Sequence, residues 1–350
     1  MGVDTQTCPT IDGMRDNATP ASLTLENLPW HDDILGEGFE SAELPVDDPE
    51  AGTERATLVR ALPDEATEQP AILWVHGMSD YFFQKHVAQH YQAAGYAFYA
   101  IDLRRCGRSR HAGEYWHYTT DLAEYFPELT TALSLIAGKH GSVVPLAHST
   151  GGLIVPLWMD ALRRNDPEAH SALQGLILNS PWLDLQFPPV LVKILRAPVL
   201  FLGKHVPTLR LPKAGTGTYG QSVSATEHGQ WHFDTDKKPV TGHLARLGWV
   251  RAVMQGQRHV HKGEVDTGVP TLTVCSSHSY LGKPYSAAAD TADTVLDVEQ
   301  IKRWAPTLSD DATVVPIDGA LHDVFLSEPH AREAAFAAVD SWLGELPAQD

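Results

Sequence analysis

The chain has 350 residues, 43% of them apolar, and a formal net charge of −18 at pH 7. This length and composition predict a globular protein with a substantial buried core. The excess of acidic residues argues against a polyanionic partner, because binding to nucleic acid or to an anionic lipid surface is driven by clustered Lys and Arg.

Cysteine content and hydropathy indicate the cellular compartment in which we expect the protein. Cys8, Cys106 and Cys275 are too few and too scattered for a disulfide framework, and no Cys-x-x-Cys pair indicates a redox or zinc site. The sequence begins without a basic segment followed by an apolar run, and no stretch approaches the roughly 18 apolar residues of a membrane span. We therefore expect a cytoplasmic protein with reduced thiols and without stable membrane insertion.

Periodic apolar segments begin near residue 31. Residues 1–30 mix Asp, Thr, Pro and Asn without periodicity, and we expect them to form a flexible N-terminal segment. After them, unbroken or alternating apolar runs predict a series of strands. These strands are GFESAELPV, RATLVRAL, PAILWVHG and GYAFYAIDLR. A helix over FFQKHVAQHYQAAG separates the last two strands.

Strands and helices then alternate at short spacing. The helices are TDLAEYFPELTTALSLIAG and GGLIVPLWMDALRR, and the strands are SVVPLAHS and LQGLILNSP. The strands PTLTVCSS and TVVPI and a long final helix resume the pattern near the C-terminus. Such alternation predicts an α/β fold in which helices cover both faces of a mainly parallel sheet.

The alternation is interrupted between residues 182 and 266. Here the apolar, helix-like run FPPVLVKILRAPVLFLG precedes a polar stretch that contains several Gly and His residues. We interpret 182–266 as an inserted cap, and residues 31–181 together with 267–350 as the core. Most apolar stripes belong to a core, so we expect this run to pack the cap onto the body; lining an acyl pocket is the alternative.

The segment VVPLAHSTGGL places Ser149 directly between a predicted buried strand and a predicted helix. Strand, serine and helix in succession are typical of a nucleophile elbow, a tight turn that exposes a hydroxyl needing a base for activation. Small neighbours let the turn form: Gly151 lies two residues on, and Ala147 takes the place of the usual first glycine. The alternative is a simple helix N-cap.

A second candidate segment follows the strand AILWVH, which ends in His76-Gly77-Met78. A glycine there lets backbone N–H groups turn toward a developing oxyanion. We expect the N–H groups of Met78 and of Thr150, the residue after Ser149, to form an oxyanion hole. His76 is interpreted as a structural hydrogen-bonding residue below this loop.

The segments HGMSDY, AIDLRRCGRS, AHSTGG and GALHDVFL, in this order and at these spacings, resemble the α/β-hydrolase superfamily. Over about residues 35 to 348 the chain is most similar to lysophospholipases, monoacylglycerol lipases and serine aminopeptidase-like proteins. The resemblance implies the chain order Ser, acid, His, and hydrolysis of esters, less often amides, in small or lipid-like substrates without a cofactor. Arg105 departs from the family, which usually has glycine there; Asp102 and Arg104 are expected to brace this loop.

The resemblance implies His322, in the C-terminal segment, as the general base. Asp323 beside it is expected to face solvent or to cap the following helix. For the acid, ADTVLDVEQIKRW matches the family pattern of an Asp before two apolar residues and a helix, which favours Asp293 as the residue that orients His322. The alternatives for the acid are Asp184, Asp290 and Asp297.

Other kinds of site and function remain open. His259 and His261 would share one face of a strand, but zinc needs three or four ligands and no Cys or carboxylate cluster accompanies them, so we expect no metal. An aminopeptidase would use carboxylates to hold a free amine, and the cap offers Glu227, Asp234 and Asp236. An acyltransferase and a non-catalytic ligand-binding protein are further alternatives. The oligomeric state is not predicted.

Overall fold

A computed structural model describes residues 23–48, 52–65, 69–187, 189–212 and 217–347. The strands among these residues are β1 His31–Asp32, β2 Phe39–Asp48, β3 Gly52–Ala61, β4 Ala71–Val75, β5 Phe98–Asp102, β6 Val143–His148, β7 Leu176–Asn179, β8 Thr271–Ser276 and β9 Ala312–Ile317. The α-helices are α1 Lys85–Ala93, α2 Phe126–His140, α3 Gly151–Asn165, α4 Pro167–His170, α5 Pro189–His205, α6 Thr218–Val223, α7 Leu247–His261, α8 Val298–Trp304 and α9 Pro329–Glu345.

All these strands belong to one sheet in the order β1-β2-β3-β5-β4-β6-β7-β8-β9. The pairs from β1 to β5 are antiparallel, and β5 through β9 run parallel. The carboxyl ends of the parallel strands therefore meet at one edge, where α/β proteins place their sites. The predicted α/β-hydrolase fold is confirmed.

The central strands are unbroken apolar runs because helices cover both faces of the sheet. Every residue of β4 through β8 is buried. Side chains alternate between faces: Leu73 and Val75 pack with α2 and α3, whereas Ile72 and Trp74 pack with α1 and α9. The edge strand β9 is half exposed.

Positions 1–22 of the predicted flexible segment, residues 1–30, lie outside the described residues. From there Leu25 and Leu28 are buried in the core, and Trp30 Nε1 donates a 2.7 Å hydrogen bond to the Leu25 carbonyl.

Residues 182–266 connect β7 to β8 and contain α5, α6 and α7. None of their described residues joins the sheet. Trp249 and Val253 of α7 pack into the core, and α5 lies so close to α7 that a Cβ at Gly203 would be 2.7 Å from the Arg251 Cβ. The assignment of this segment as a cap, and its boundaries, stay a prediction.

The expectation that the apolar run of α5 packs the cap onto the body is wrong for its outer face. Val190, Ile194 and Phe201 are exposed. The helix buries only the side that meets α7, while its opposite side is also apolar. Within the described residues, no helix is both long enough and apolar enough to cross a bilayer.

Candidate active site

Ser149 lies on the turn between the buried strand β6 and helix α3, with a left-handed φ of 53°. A non-glycine residue is rarely held in this conformation unless its surroundings fix it. Two backbone hydrogen bonds do so here: the Ser149 N–H donates to the Asn179 carbonyl at 3.0 Å, and its own carbonyl accepts from the Trp182 N–H at 2.9 Å. The turn therefore has the strand, serine and helix geometry that the sequence predicts.

Two glycines beside this turn let the loop after β4 and the start of α3 approach each other closely. A Cβ at Gly77 would lie 2.8 Å from the Ser149 Cβ, and one at Gly151 would lie 2.6 Å from the His76 carbonyl oxygen. Side chains at these positions would push the loop after β4 and the start of α3 away from each other. Ala147 is fully buried on β6, so the small residue required there need not be glycine.

The structure brings Ser149, His322 and Asp293 into one chain of hydrogen bonds. Ser149 Oγ lies 2.9 Å from His322 Nε2, and His322 Nδ1 lies 2.9 Å from Asp293 Oδ2. The second carboxylate oxygen of Asp293 accepts from the backbone N–H groups of Val295 and Leu296 at 2.7 and 2.8 Å. Both Asp293 and His322 are buried, so the imidazole is held between the serine and the carboxylate.

The three alternative acids bind elsewhere. Asp290 accepts a hydrogen bond from the Tyr285 hydroxyl, and Asp297 caps α8 by accepting from the Glu299 N–H. Asp184 accepts from Trp304 Nε1. Of these candidates, only Asp293 contacts His322.

The predicted oxyanion-hole residues Met78 and Thr150 are neighbours in the structure, and their role stays a prediction. Both residues line the same small cavity beside Gly77, and their N–H groups donate no hydrogen bond to any described residue. His76 lies below this loop: its Nδ1 donates to the Gly77 carbonyl at 2.7 Å, and its Nε2 accepts from the Leu103 N–H at 3.0 Å. Both imidazole nitrogens thus hold backbone, which leaves His76 no role as a base.

The family described as serine aminopeptidase, S33, matches residues 66–330. The chain belongs to this family. A monoacylglycerol lipase from Mycolicibacterium smegmatis is 26% identical over 287 residues, which cover 78% of this chain and 87% of that protein. The protein is thus an α/β-hydrolase of the S33 family with sequence similarity to a monoacylglycerol lipase.

Solved structures share the fold of this hydrolase. A soluble variant of the monoglyceride lipase from Saccharomyces cerevisiae, in complex with a substrate analogue, is 17% identical with a TM-score of 0.62, covering 90% of this chain and 94% of that one. The monoacylglycerol lipase of Paleococcus ferrophilus is 20% identical with a TM-score of 0.57, covering 80% of this chain and 95% of that one.

Asp323, next to His322, differs from the expectation for an exposed residue. It is fully buried, although it also caps the following turn by accepting from the Phe325 N–H. Burial opposes its ionisation, yet hydrogen bonds from the side chains of Asn179 and Gln84 hold the pKa of this carboxyl below its usual value. The hydrolase therefore keeps a second buried carboxylate on the residue next to His322, bound to Gln84 and Asn179.

His148, the residue before Ser149, is a buried neutral imidazole. Burial lowers its pKa to about 4. Its ring lies against that of His322, with centroids 4.8 Å apart, and its Nδ1 is 3.1 Å from the Asn179 carbonyl oxygen. A neutral ring at this position adds no positive charge beside His322 at neutral pH.

A pocket of about 440 Å³ opens beside this arrangement. Met78, Phe187 and Tyr219 contribute to its lining, and Lys238 is the only charged residue among its described lining residues. The Lys238 ammonium donates a 2.9 Å hydrogen bond to Asp80 Oδ1, and both side chains are buried. A largely apolar pocket with one fixed polar group is typical of sites for small organic ligands.

Sequence reasoning missed Tyr219 and Lys238, which come from the segment between β7 and β8. The Tyr219 ring stands edge-on to the His322 ring with a centroid distance of 5.4 Å, and the Lys238 ammonium lies 5.3 Å from the centre of the Tyr219 ring. Neither residue lies in a recognisable motif. Their long-range contacts leave no local periodicity that could have indicated them.

His259 and His261 lie in the last turn of α7, so they do not share the face that they would share on a strand. His259 contacts Glu264, and His261 Nε2 lies 2.9 Å from the Leu183 carbonyl oxygen. They therefore point to different partners and do not form a common site.

Another group of potential metal ligands, His76, Cys106 and His117, has its ligand atoms within 4.8 Å of one another. Both nitrogens of His76 already bind backbone. Burial raises the pKa of the Cys106 thiol well above its usual value, and metals bind the thiolate. We assign no metal to this group. Cys275 is also a buried free thiol with its pKa raised to about 12, as expected of a small core residue.

Proposed function

We propose that the protein is a carboxylic ester hydrolase that acts on monoacylglycerol-like or lysophospholipid-like substrates through an acyl-enzyme on Ser149. The observation that carries this proposal is the hydrogen-bonded chain from Ser149 Oγ through His322 to Asp293, at a serine held on a left-handed turn. The similarity to monoacylglycerol lipases supports the substrate class.

In the acylation step, His322 Nε2 takes the hydroxyl proton of Ser149 while Oγ attacks the ester carbonyl carbon. The N–H groups of Met78 and Thr150 receive the oxyanion of the tetrahedral intermediate. Asp293 accepts from His322 Nδ1 and stabilises the imidazolium that forms. Collapse of the intermediate breaks the bond to the alcohol oxygen, which leaves with the proton from His322.

In the deacylation step, a water molecule replaces the alcohol. His322 takes a proton from the water, whose oxygen attacks the acyl carbon of the acyl-enzyme. The second tetrahedral intermediate collapses, the carboxylic acid departs, and the proton returns to Ser149 Oγ. These steps use only Ser149, His322, Asp293, the two backbone donors and water.

The charge of the pocket favours esters over peptides with a free N-terminus. An aminopeptidase would use carboxylates to hold the free amine, but none of Glu227, Asp234 and Asp236 lines the pocket of about 440 Å³. Asp234 instead binds the ammonium of Lys237. The charged lining residue described is the cation Lys238, which is paired with Asp80, so the described lining offers an ammonium group no carboxylate of its own.

The test is covalent labelling with a fluorophosphonate, measured by intact mass on the wild type and two serine variants. We expect one adduct on the wild type, none on Ser149→Ala, and one on Ser180→Ala. Ser180 is the matched control because it is a nearby serine that also has a positive φ, 48° against 53° for Ser149. A folded wild type without an adduct would instead support the ligand-binding alternative.

Substrate class is tested by turnover of a monoacylglycerol, a lysophospholipid and an aminoacyl arylamide. The proposal expects release of fatty acid from at least one of the two lipids. Turnover of the arylamide should be at least about a hundredfold lower, since no described lining residue of the pocket is a carboxylate that could bind its free amine. Preferred cleavage of the arylamide would establish an aminopeptidase. Preferred transfer of the acyl group to an added alcohol rather than to water would establish an acyltransferase.

A further inference from the structure

The outer face of α5 is an exposed apolar stripe. Val190, Ile194 and Phe201 are 71%, 65% and 64% exposed, and their spacing of four and seven residues places them along one side of the helix. Leu191, Leu195 and Leu202 flank them and are also exposed. A surface helix normally presents polar residues to water, so an apolar face of this length indicates a binding surface.

The charge around this stripe is opposite to that of the whole chain. Residues 189–212 and 244–263, which contain α5 and α7, carry four Lys and Arg each and not one Asp or Glu. The chain as a whole has a net charge of −18. Cations are therefore segregated onto the two helices, which the overall net charge conceals.

Three of these cations converge beside the apolar stripe. Lys193, Arg196 and Arg258 line a groove of about 230 Å³ between α5 and α7. None of them forms an ion pair with a carboxylate of the described residues. Asp184 also lines the groove, but its carboxylate accepts from Trp304 Nε1 and lies 3.7 Å from His261 Nε2. The groove thus offers unpaired positive charge to an external anion.

The same face reaches the candidate active site. Phe187 lines both the cationic groove and the pocket of about 440 Å³ beside Met78 and Tyr219. A molecule held against α5 is therefore adjacent to the entrance of that pocket. This continuity connects the exposed surface to the site without any rearrangement of the described residues.

We infer that α5 and α7 dock the protein on the surface of an anionic phospholipid bilayer. The apolar stripe of α5 enters the boundary between headgroups and acyl chains, and Lys193, Arg196 and Arg258 lie at the level of the phosphates. A helix with an apolar face and basic neighbours binds in this way through buried apolar area together with attraction to anionic lipids. The expectation drawn from net charge alone, that no anionic lipid surface is a partner, is thereby reversed for this face.

A second copy of the chain fits this face less well. In a symmetric dimer the same patch contacts itself, so the cations of one copy would meet those of the other. Like charges across an interface oppose association. Phosphate groups complement the cations, and acyl chains complement the stripe.

The test is flotation of the protein with vesicles, carried out in the Ser149→Ala background so that its outcome does not depend on catalysis. Vesicles of phosphatidylcholine with one third phosphatidylglycerol are compared with vesicles of phosphatidylcholine alone. We expect at least about tenfold tighter binding to the anionic vesicles. Equal binding to both kinds of vesicle, or binding to neither, would overturn the inference.

Two double variants separate the apolar and the charged contributions. Lys193→Gln with Arg196→Gln is expected to weaken binding about 25-fold, since each cation near an anionic surface contributes about fivefold. Ile194→Ser with Phe201→Ser should weaken it at least about tenfold through lost apolar burial. The controls are Arg55→Gln with Lys85→Gln, and Ile34→Ser at a residue 60% exposed outside the helix; both should stay within about twofold of the parent.

Two further results would contradict the inference. One is that the control variants weaken binding as much as the α5 variants do. The other is that light scattering shows a dimer that Ile194→Ser with Phe201→Ser dissociates, while the parent binds no vesicles; the face would then be an interface between copies. Hydrolysis of a short, soluble ester by the same variants with Ser149 intact reports that they fold, and it should remain at the wild-type rate.

Discussion

The two sides of the candidate site are built on opposite physical rules. On the sheet side, His322, Asp293 and Asp323 are buried and joined by hydrogen bonds to neighbouring side chains or backbone. On the side formed by α5 and α7, apolar side chains face outward and the cations Lys193 and Arg196 form no ion pair with a described carboxylate. The polar groups of the first side bind one another or the backbone, which fixes the positions of the side chains. The second side leaves its polar groups open for a partner, so chemistry and substrate access are divided between different parts of one chain.

The sheet side is tested most strongly by Asp293→Asn. An amide in place of the carboxylate would favour the wrong tautomer of His322, so we expect kcat for an ester to fall about ten-thousand-fold. The measurement is steady-state turnover, together with circular dichroism to show that the variant folds. Asp290→Asn is the matched control and should leave kcat within about twofold. A similar loss in both variants would show that Asp293 has no special role.

The contact between the sheet side and the segment that connects α6 to α7 is tested by Lys238→Met. This change leaves Asp80 as a buried carboxylate without its cation, and breaking a buried pair in this way costs about 3 to 5 kcal/mol of unfolding free energy. Urea denaturation measures the loss. The double variant Asp80→Asn with Lys238→Met removes both charges and should recover most of the stability. A double variant as unstable as the sum of the two single losses would mean that the pair does not couple that segment to the sheet side.

The neutral histidine beside Ser149 predicts an acid-sensitive core. Its pKa is lowered from 6.5 to about 4 in the folded protein, so between these values the unfolded chain binds a proton that the folded chain does not. The contribution of His148 to the unfolding free energy therefore falls by about 3 kcal/mol as the pH drops through this window. His148→Gln should show a shallower decline than the wild type in urea denaturation at several pH values. The exposed His330→Gln should not differ from the wild type, and equal slopes for all three proteins would refute the assignment.

The smallest effect is expected for the outer face of α5. Ile194→Ala should change the unfolding free energy by no more than about 0.5 kcal/mol, because the side chain is exposed in the folded protein. Leu153→Ala, at a fully buried position of α3, should cost about 2 to 5 kcal/mol. Denaturant titrations of the two variants give the comparison directly. A large loss for Ile194→Ala would mean that α5 belongs to the folding core and does not keep its apolar face for a partner.

The sequence predicted the elements around the sheet well, because those signals are local. An unbroken apolar run followed by Ser149 and small residues indicates both a buried strand and a tight turn, and the structure has β6 and α3 in those places. The position of Asp293 needed the family pattern, since three other Asp residues were alternatives. The structure brings Asp293 to His322 through the turn that its own carboxylate stabilises with Val295 and Leu296.

Partners of charged side chains were harder to predict, because they depend on packing between distant elements. Asp102 and Arg104 were expected to brace their loop, but their partners were not predicted: Asp102 accepts from the backbone N–H and the side chain of Arg108 in that loop, and Arg104 binds Glu128 of α2 at 2.7 Å. Arg105 takes the family's glycine position with a positive φ of 62° and donates to the Tyr118 carbonyl. Hydrogen bonds made by its long side chain compensate for the strain that glycine would avoid.

The orientation of α5 was not accessible from its sequence for a related reason. An apolar run shows that a helix seeks an apolar environment, but it does not show whether protein or lipid provides that environment. Only the observed exposure of Val190 and Phe201, taken with the segregated cations, distinguishes the two. We expected internal packing because most apolar stripes of helices belong to a protein core.

The hydrogen bonds of Trp182 limit how many residues can lie between Asn179 and Trp182. Its N–H donates to the Ser149 carbonyl, and its own carbonyl accepts from Gln257 of α7 at 3.2 Å. The bonds at Trp182 use main-chain atoms, so most substitutions at position 182 would preserve them. An inserted or deleted residue between Asn179 and Trp182 would move the second anchor of the turn relative to the first. Indels between Asn179 and Trp182 should therefore be tolerated far less well than substitutions at position 182.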